Sequence, residues 1–158
     1  MSTFIRGARI TLDGEGKRLN VLGDNQRVIL ASEDTGGKYA LIENCNPPGV
    51  GIPLHLHHNE DETFHVLEGQ VEFQIDVKTI QAIAGTTIYL PRNTPHAFTI
   101  VGEASAKMLI MLMPAGLEKY FEELSQLPLD KPPNMETVMD ISARYGIELL
   151  SHPESSVI

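Results

Sequence analysis

The sequence has little sulfur, a shortage of positive charge and no long apolar stretch. Cys45 is its one cysteine, so no disulfide can form within the chain, which fits a reducing compartment. As a lone thiol in an apolar segment it reads as a small buried residue. Lysine and arginine number 12 against 21 aspartates and glutamates, a net charge of -9. Without a basic stripe to displace counterions, nucleic acid is not an expected partner. The longest apolar runs, such as Met108 to Met113, fall far short of the ~20 residues a spanning helix needs, so no membrane partner is expected. The start, Met1-Ser2-Thr3-Phe4-Ile5-Arg6, lacks the basic and apolar regions of a secretory leader, and a cytoplasmic location is the expectation. Internal repeats and low-complexity tracts are also missing.

What is present is an ordinary globular composition, 42% apolar and 21% charged over 158 residues, enough for one domain (1–158) with its own core. Glycine and proline punctuate it at Asp34-Thr35-Gly36-Gly37, Asn46-Pro47-Pro48-Gly49, Glu68-Gly69, Ala84-Gly85 and Pro91-Arg92-Asn93-Thr94-Pro95. Arg27 to Glu33 and Lys38 to Cys45 flank a Gly-Gly turn and suggest a hairpin. Val71 to Val77 alternates apolar and polar residues without a fault, the period of a half-buried strand. Thr86 to Leu90, His96 to Val101 and Lys107 to Met113 extend the series, so the fold class is all-β, a sandwich or closed barrel. After Pro114 the period changes. Leu117, Tyr120, Phe121, Leu124 and Leu127 mark one face of a helix that Pro128 stops. Asn134 can cap a second helix, with Val138, Ile141 and Tyr145 on one side and Gly146 at its end. Both helices are expected to pack outside the barrel.

His55 and His57 follow Pro53 two residues apart, so on a strand both imidazoles face the same way. Glu62 comes five residues later, past a polar Asn59-Glu60-Asp61 turn, and His96 a further 34 on, so it must arrive through the fold. Three imidazoles and one carboxylate suit a divalent transition metal, Fe, Mn, Ni, Cu or Zn, with positions left open for a ligand. Taken alone, His55-Leu56-His57-His58 also reads as a surface turn and Glu60-Asp61-Glu62 as a solvated acidic loop.

The framing of these residues resembles the cupin family. Gly49, five residues, His55, one residue, His57, four residues, Glu62, six residues and Gly69 follow its first motif. Gly85, five residues, Pro91 and then His96 follow the second, and the 15 residues between Gly69 and Gly85 are similar to the short intermotif loop of compact single-domain cupins. Asp34-Thr35-Gly36-Gly37 and Pro114-Ala115-Gly116 resemble the bacterial quercetinase-like (quercetin 2,3-dioxygenase-like) branch. The resemblance implies a double-stranded β-helix, or jelly-roll barrel, over about 27–114, with a helical extension over about 115–150. It also implies His55, His57, Glu62 and His96 as metal ligands, Glu62 as a base able to leave the metal, and a homodimer. Two positions depart from the family: Asn93 stands where glycine is usual and Ile100 where asparagine is. Asparagine tolerates the left-handed backbone a turn glycine supplies, so the first change is mild.

If Glu62 points inward, alternation carries Phe64 and Val66 with it and turns His65 away, and His58 lies off the site by the same parity. Phe98 and Ile100 follow His96 inward, joined by Phe73 and Ile75. Phe64, Phe73, Phe98 and Ile100 are therefore the candidate substrate contacts, although such residues can simply fill a barrel. With no Arg or Lys at inward parity, a neutral or aromatic small molecule is the expected ligand. Three functions remain open: a metal-dependent dioxygenase, a non-oxidative cupin enzyme (isomerase, decarboxylase or hydrolase), and a non-catalytic binding barrel with a structural metal.

Overall fold

The computed structural model describes residues 2–5 and 7–150. In chain order its strands are β1 (Ser2–Ile5), β2 (Ala8–Thr11), β3 (Lys17–Val21), β4 (Asp24–Leu30), β5 (Ala40–Asn46), β6 (Gly51–His57), β7 (Asp61–Glu68), β8 (Gln70–Ile75), β9 (Lys78–Ile83), β10 (Thr87–Leu90), β11 (His96–Val101), β12 (Ala106–Met113) and β13 (Ile147–Leu149). The helices are α1 (Ser32–Thr35), α2 (Leu117–Ser125) and α3 (Met135–Arg144). The jelly-roll barrel expected from the sequence forms from two antiparallel sheets, ordered β10-β7-β12-β5-β4-β3 and β13-β6-β11-β8-β9. β1 and β2 make a separate hairpin. The larger sheet begins at Lys17, ahead of Arg27, because β3 pairs with β4 along its length.

Alternation decides what each sheet buries. On β7, Glu62, Phe64 and Val66 turn inward, and their neighbours on β12, Leu112, Ile110 and Met108, are buried beside them. β8 and β11 answer from the other sheet with Val71, Phe73, Phe98 and Ile100, all 4% exposed or less. Phe73 meets both Phe64 and Phe98 at ring centroid separations of 5.1 and 5.9 Å, so the two sheets share one aromatic core.

Three details differ from the sequence reading. Ala31 to Gly37 is not a simple hairpin turn, because Ser32–Thr35 coils into α1 before β5 returns antiparallel to β4. Asp34 supplies the local reason, accepting a hydrogen bond from the Ala31 N–H at 2.9 Å and closing the turn on itself. Cys45 is exposed, not buried: the inward positions of β5 belong to Ile42, Asn44 and Asn46, which leaves Cys45 on the outer face. β9 and β13 carry too few inward apolar residues to show an alternating pattern, yet both add to the smaller sheet.

The motif glycine Gly69 has φ of +80°, and a Cβ there would lie 2.6 Å from the Ser105 carbonyl oxygen, so the tight β7-to-β8 turn requires glycine. Asn93 adopts the left-handed backbone that the family gives to glycine, with φ of 67°. It also contributes what glycine cannot, since its side-chain oxygen lies 2.8 Å from His58 Nδ1.

The helices form as their apolar stripes require and close over one mouth of the barrel. α2 buries Leu117, Tyr120 and Leu124, with Phe121 and Leu127 packed against the core. Its first turn is tied down by buried Glu118, which accepts from the Ser32 N–H at 2.9 Å, the Ser32 hydroxyl and the Gly116 N–H at 2.9 Å. α3 is capped by Asn134, whose Oδ1 accepts from the N–H groups of Glu136 and Thr137 at 3.0 and 3.3 Å. Among the described residues no helix is long and apolar enough to cross a membrane.

Candidate metal centre

β6 carries His55 and His57 at the same parity, and β11 begins at His96, directly opposite His55 in the sheet register. Glu62 comes from β7 of the other sheet. All four side chains are 8% exposed or less, and one ligand atom from each lies within 4.8 Å of the rest. His55 Nε2 is 3.1 Å from His57 Nε2, and Glu62 Oε1 is 2.9 Å from His96 Nε2 and 3.4 Å from His57 Nε2. Atoms held at about 2.0–2.2 Å from a shared ion would stand about 3–3.5 Å apart, so these three separations are of the size that a shared divalent ion sets.

The outer nitrogens fix the rings. His55 Nδ1 donates to the Pro53 carbonyl at 2.8 Å and His96 Nδ1 to the Thr94 carbonyl at 2.9 Å. Each bond places a proton on Nδ1 and turns Nε2 toward the centre. His57 Nδ1 instead faces the buried Glu60 carboxylate at 3.7 Å, and both His57 Nδ1 and Glu60 Oε1 lack a hydrogen-bond partner within the fold. By sequence Glu60 reads as part of a solvated acidic loop; its burial beside His57 Nδ1 makes it a candidate second carboxylate of the site. Glu60→Ala is expected to weaken zinc affinity about 10–100-fold, as loss of a carboxylate behind a ligand histidine does, measured by competition with a chelating dye. Unchanged affinity would remove Glu60 from the site.

Electrostatically the cluster is built for a cation. Burial, with the neighbouring His96 and His57, holds the His55 imidazole down to about 3. Burial opposes the charge of Glu62, but His57, His96 and His55 together outweigh it and hold the carboxylate at about 2. Burial also works against a proton on His96, yet the hydrogen bond and charge of Glu62 prevail and raise its pKa. These directions set the pH response of metal-free protein. Between about 3 and the ordinary histidine value of 6.5, the unfolded chain takes up a proton that folded His55 refuses, so stability falls as pH falls. Glu62, depressed from 4.5 to about 2, adds a loss of the same sign at the lower end of that window. Stability carried by His96 has the opposite sense, present below its unfolded value and lost as pH rises through the folded one. Denaturant unfolding from pH 6.5 to 4 should therefore show declining stability, by up to about 1.4 kcal/mol per pH unit for one proton. A flat profile would contradict the buried neutral His55.

The cluster opens onto a cavity of about 200 Å³, lined at this end by His55, His57 and Glu62. Its walls are Phe64, Phe98, Ile110 and Ile52, and the helices close it with Tyr120, Phe121, Leu124 and Val138. Of the four substrate contacts read from the sequence, Phe64 and Phe98 line the cavity, whereas Phe73 and Ile100 do not. Phe73 is completely buried behind them, and Ile100 is held in the sheet by backbone bonds to Val50 and Gly49. His58 and His65 lie off the site as parity requires, His58 between Asn93 and Glu148 and His65 beside the Thr87 hydroxyl.

The lumen is not wholly apolar. Asp24 and Gln26 of β4 also line the cavity, and Asn44 and Asn46 of β5 stand behind them, all four 5% exposed or less. Burial pushes the Asp24 carboxyl above the usual carboxylate range, against the hydrogen bonds from Gln26, Asn46 and Asn44. The alternation Asp24, Gln26, Val28 and Ile42, Asn44, Asn46 was the available sign, concealed because polar residues at inward positions break the apolar pattern.

Comparison with known proteins agrees with this geometry. Residues 44–112 match the family model described as the cupin domain. The chain is 32% identical over 111 residues to quercetin 2,3-dioxygenase of Bacillus subtilis, covering 70% of this chain and 33% of that protein; it thus spans about a third of that relative's length. Among solved structures, KdgF from Halomonas sp. superposes with a TM-score of 0.61 at 14% identity, over 70% of this chain and 98% of that one. A predicted oxalate decarboxylase from Thermotoga maritima gives 0.60 at 21%, over 66% and 98%. With the matched residues spanning β6, β7 and β11, and so all four clustered side chains, the chain is a member of the cupin superfamily.

Proposed function

We propose that the protein is a metal-dependent dioxygenase acting on a small aromatic or enolisable organic molecule, of the quercetinase-like kind. The observation that carries this reading is the convergence of three histidine nitrogens and one carboxylate, with His55, His57 and Glu62 of that cluster lining a cavity walled by phenylalanines. His55, His57, Glu62 and His96 would hold a divalent transition metal, which supplies Lewis acidity toward an enol or phenol oxygen and, where redox-active, electron exchange with dioxygen.

The chain's own residues supply the rest. Phe64 and Phe98, packed edge to face with ring centroids 5.9 Å apart, form one apolar wall against which a flat substrate can lie. Tyr120, Phe121 and Leu124 cover the opening and keep water from the reacting atoms. Glu62 engages His57 and His96 through Oε1, which leaves Oε2 to accept the substrate's hydroxyl proton. Held near 2, the carboxylate is ionised throughout the neutral range, the form in which Oε2 can accept a proton.

The test is anaerobic titration of metal-loaded protein with quercetin, followed by admission of labelled dioxygen. Binding without oxygen and incorporation of both labelled atoms into product are expected. Failure to bind, or binding without oxygen uptake, overturns the reading, and turnover undiminished without oxygen would place the protein among the non-oxidative cupin enzymes.

The assembly that suits this surface is a homodimer. β9 is an edge strand, and Ile80 and Ile83 on it and Val77 beside it are 40%, 63% and 82% exposed; pairing would cover them. Sedimentation at twice the monomer mass is expected, and a monomer at micromolar concentration would exclude it.

A further inference from the structure

We infer that small molecules reach the cavity through an apolar portal between the β3–β4 turn and the start of α3, with Leu22 as the residue that controls passage. Such a portal serves any ligand the cavity takes, whether or not oxygen chemistry follows, so it stands apart from the dioxygenase reading.

The cavity's lining shows where it can open. On β7, β11 and β12 it is bounded by Glu62, Phe64, Phe98 and Ile110, all 5% exposed or less, so these walls are shut. Leu22, Pro53 and Met135 also line it and are exposed, Leu22 by 37% and Met135 by 53%. They come from three separate places: the turn after β3, the first half of β6 and the first residue of α3. Leu22 further lines a surface hollow of about 360 Å³, beside Pro128, Leu129 and Lys131, and so stands between solvent and the interior. Another surface hollow, beside Met139, meets the cavity wall at Ile147 and Leu149. There the way is closed, because β13 pairs with β6 from Ile147 opposite His57 to Leu149 opposite His55.

Leucine is also a costly choice for position 22. Val21 pairs with Asp24, so Leu22 and Gly23 form a two-residue hairpin turn, with φ of 52° and 99°. Positive φ at both positions is the conformation that asparagine followed by glycine adopts readily, and a leucine side chain is strained there. More than a third of Leu22 is exposed, so packing in the core does not account for it. Backbone strain of this kind persists at ligand clamps and similar functional positions, and here it holds an apolar side chain across the mouth of the cavity.

The roof above the portal has a firm half and a loose one. α2 is tied to the barrel side by Lys119 to Glu33 of α1 at 2.8 Å and by Glu122 to Lys17 of β3. α3 is joined to α2 near its far end, where the Tyr120 and Ser142 hydroxyls meet at 2.8 Å and the Arg144 guanidinium stands 3.1 Å from the Glu123 carboxylate. From Pro128 to Glu136 every residue is exposed. The start of α3, carrying Met135, is therefore the part of the roof that lifts most easily.

The test is stopped-flow fluorescence of 2-naphthol binding to the full chain as purified. Leu22→Asn and Met135→Ala should each raise the association and dissociation rates together, by about tenfold, and leave the dissociation constant unchanged. Leu22→Asn should also unfold in urea at a midpoint no lower than wild type, because asparagine accepts the turn that strains leucine. Met139→Ala, at an equally exposed position of α3 beside the other hollow, should leave both rates as they are. Unchanged rates in the Leu22 and Met135 variants overturn the portal, as does weaker binding at an unchanged association rate, which would make Leu22 a wall. Faster exchange in Met139→Ala would move the entrance to β13, and no saturable binding of 2-naphthol would leave the portal leading to no site; either result overturns the inference. A lowered midpoint for Leu22→Asn would contradict the strain that singles out Leu22. Oxygen uptake is not read, so failure of the dioxygenase reading and failure of the portal are separate results.

Discussion

His57→Ala is expected to purify with almost no metal and to bind added zinc more than about 100-fold more weakly than wild type, since even groups behind the ligands account for 10–100-fold. His57 is the sharpest choice because its Nε2 lies within 3.1 Å of His55 Nε2 and 3.4 Å of Glu62 Oε1, so its loss opens the cluster at the middle. The measurement is elemental analysis of protein made without a chelating tag, followed by competition titration. His58→Ala is the matched control. One position along the same segment, its half-exposed ring turns to Asn93 and Glu148, and its removal should leave metal content unchanged. Wild-type metal content in the His57 variant would mean that the cluster is not the binding site.

Phe73→Ala should be the most damaging single change to stability away from the site, at about 3–5 kcal/mol for a buried phenylalanine. That corresponds to a fall in Tm of roughly 6–20 °C for a chain of this size. Phe73 has no exposed surface, and its ring braces Phe64 on one sheet and Phe98 on the other, so truncation leaves a void that neither sheet can close alone. Thermal unfolding of the metal-free variant checks it. A drop of under 1 kcal/mol would show that the core relaxes into the gap, as happens where a site can collapse.

Phe73 also shows where sequence pattern stops being informative. Alternation correctly turned Phe64, Phe73, Phe98 and Ile100 inward, but parity names a face and not a depth. Of these four the cavity touches Phe64 and Phe98. The four-residue cluster was legible because His55 and His57 share parity on one strand, and the turn-bound spacings to Glu62 and His96 match family motifs whose frame is fixed by glycines such as Gly69. Other parts depended on partners distant in the chain. Glu60 looks like loop acid until His57 is seen beside it at 3.7 Å. Asp24 and Gln26 become inward residues once β4 is known to start at Asp24, three positions before the apolar pattern does. The stripe of α2 announced a buried face, yet nothing in Tyr120 or Phe121 distinguishes packing on a core from roofing a cavity.

The origin of the four clustered side chains has a consequence for how a metal-loaded molecule would hold together. Three come from the smaller sheet, on β6 and β11, and Glu62 alone comes from the larger. An ion held by all four would be a rivet between two sheets that are otherwise joined by side-chain packing and loops. Prising the sandwich open requires the Glu62 bond to break or the ion to leave. Each tenfold excess of free metal over its dissociation constant then adds about 1.4 kcal/mol to the folded state. Slow amide exchange should spread across β7 as well as β6 on loading, so the resistance of the whole sandwich to opening follows the metal supply around it.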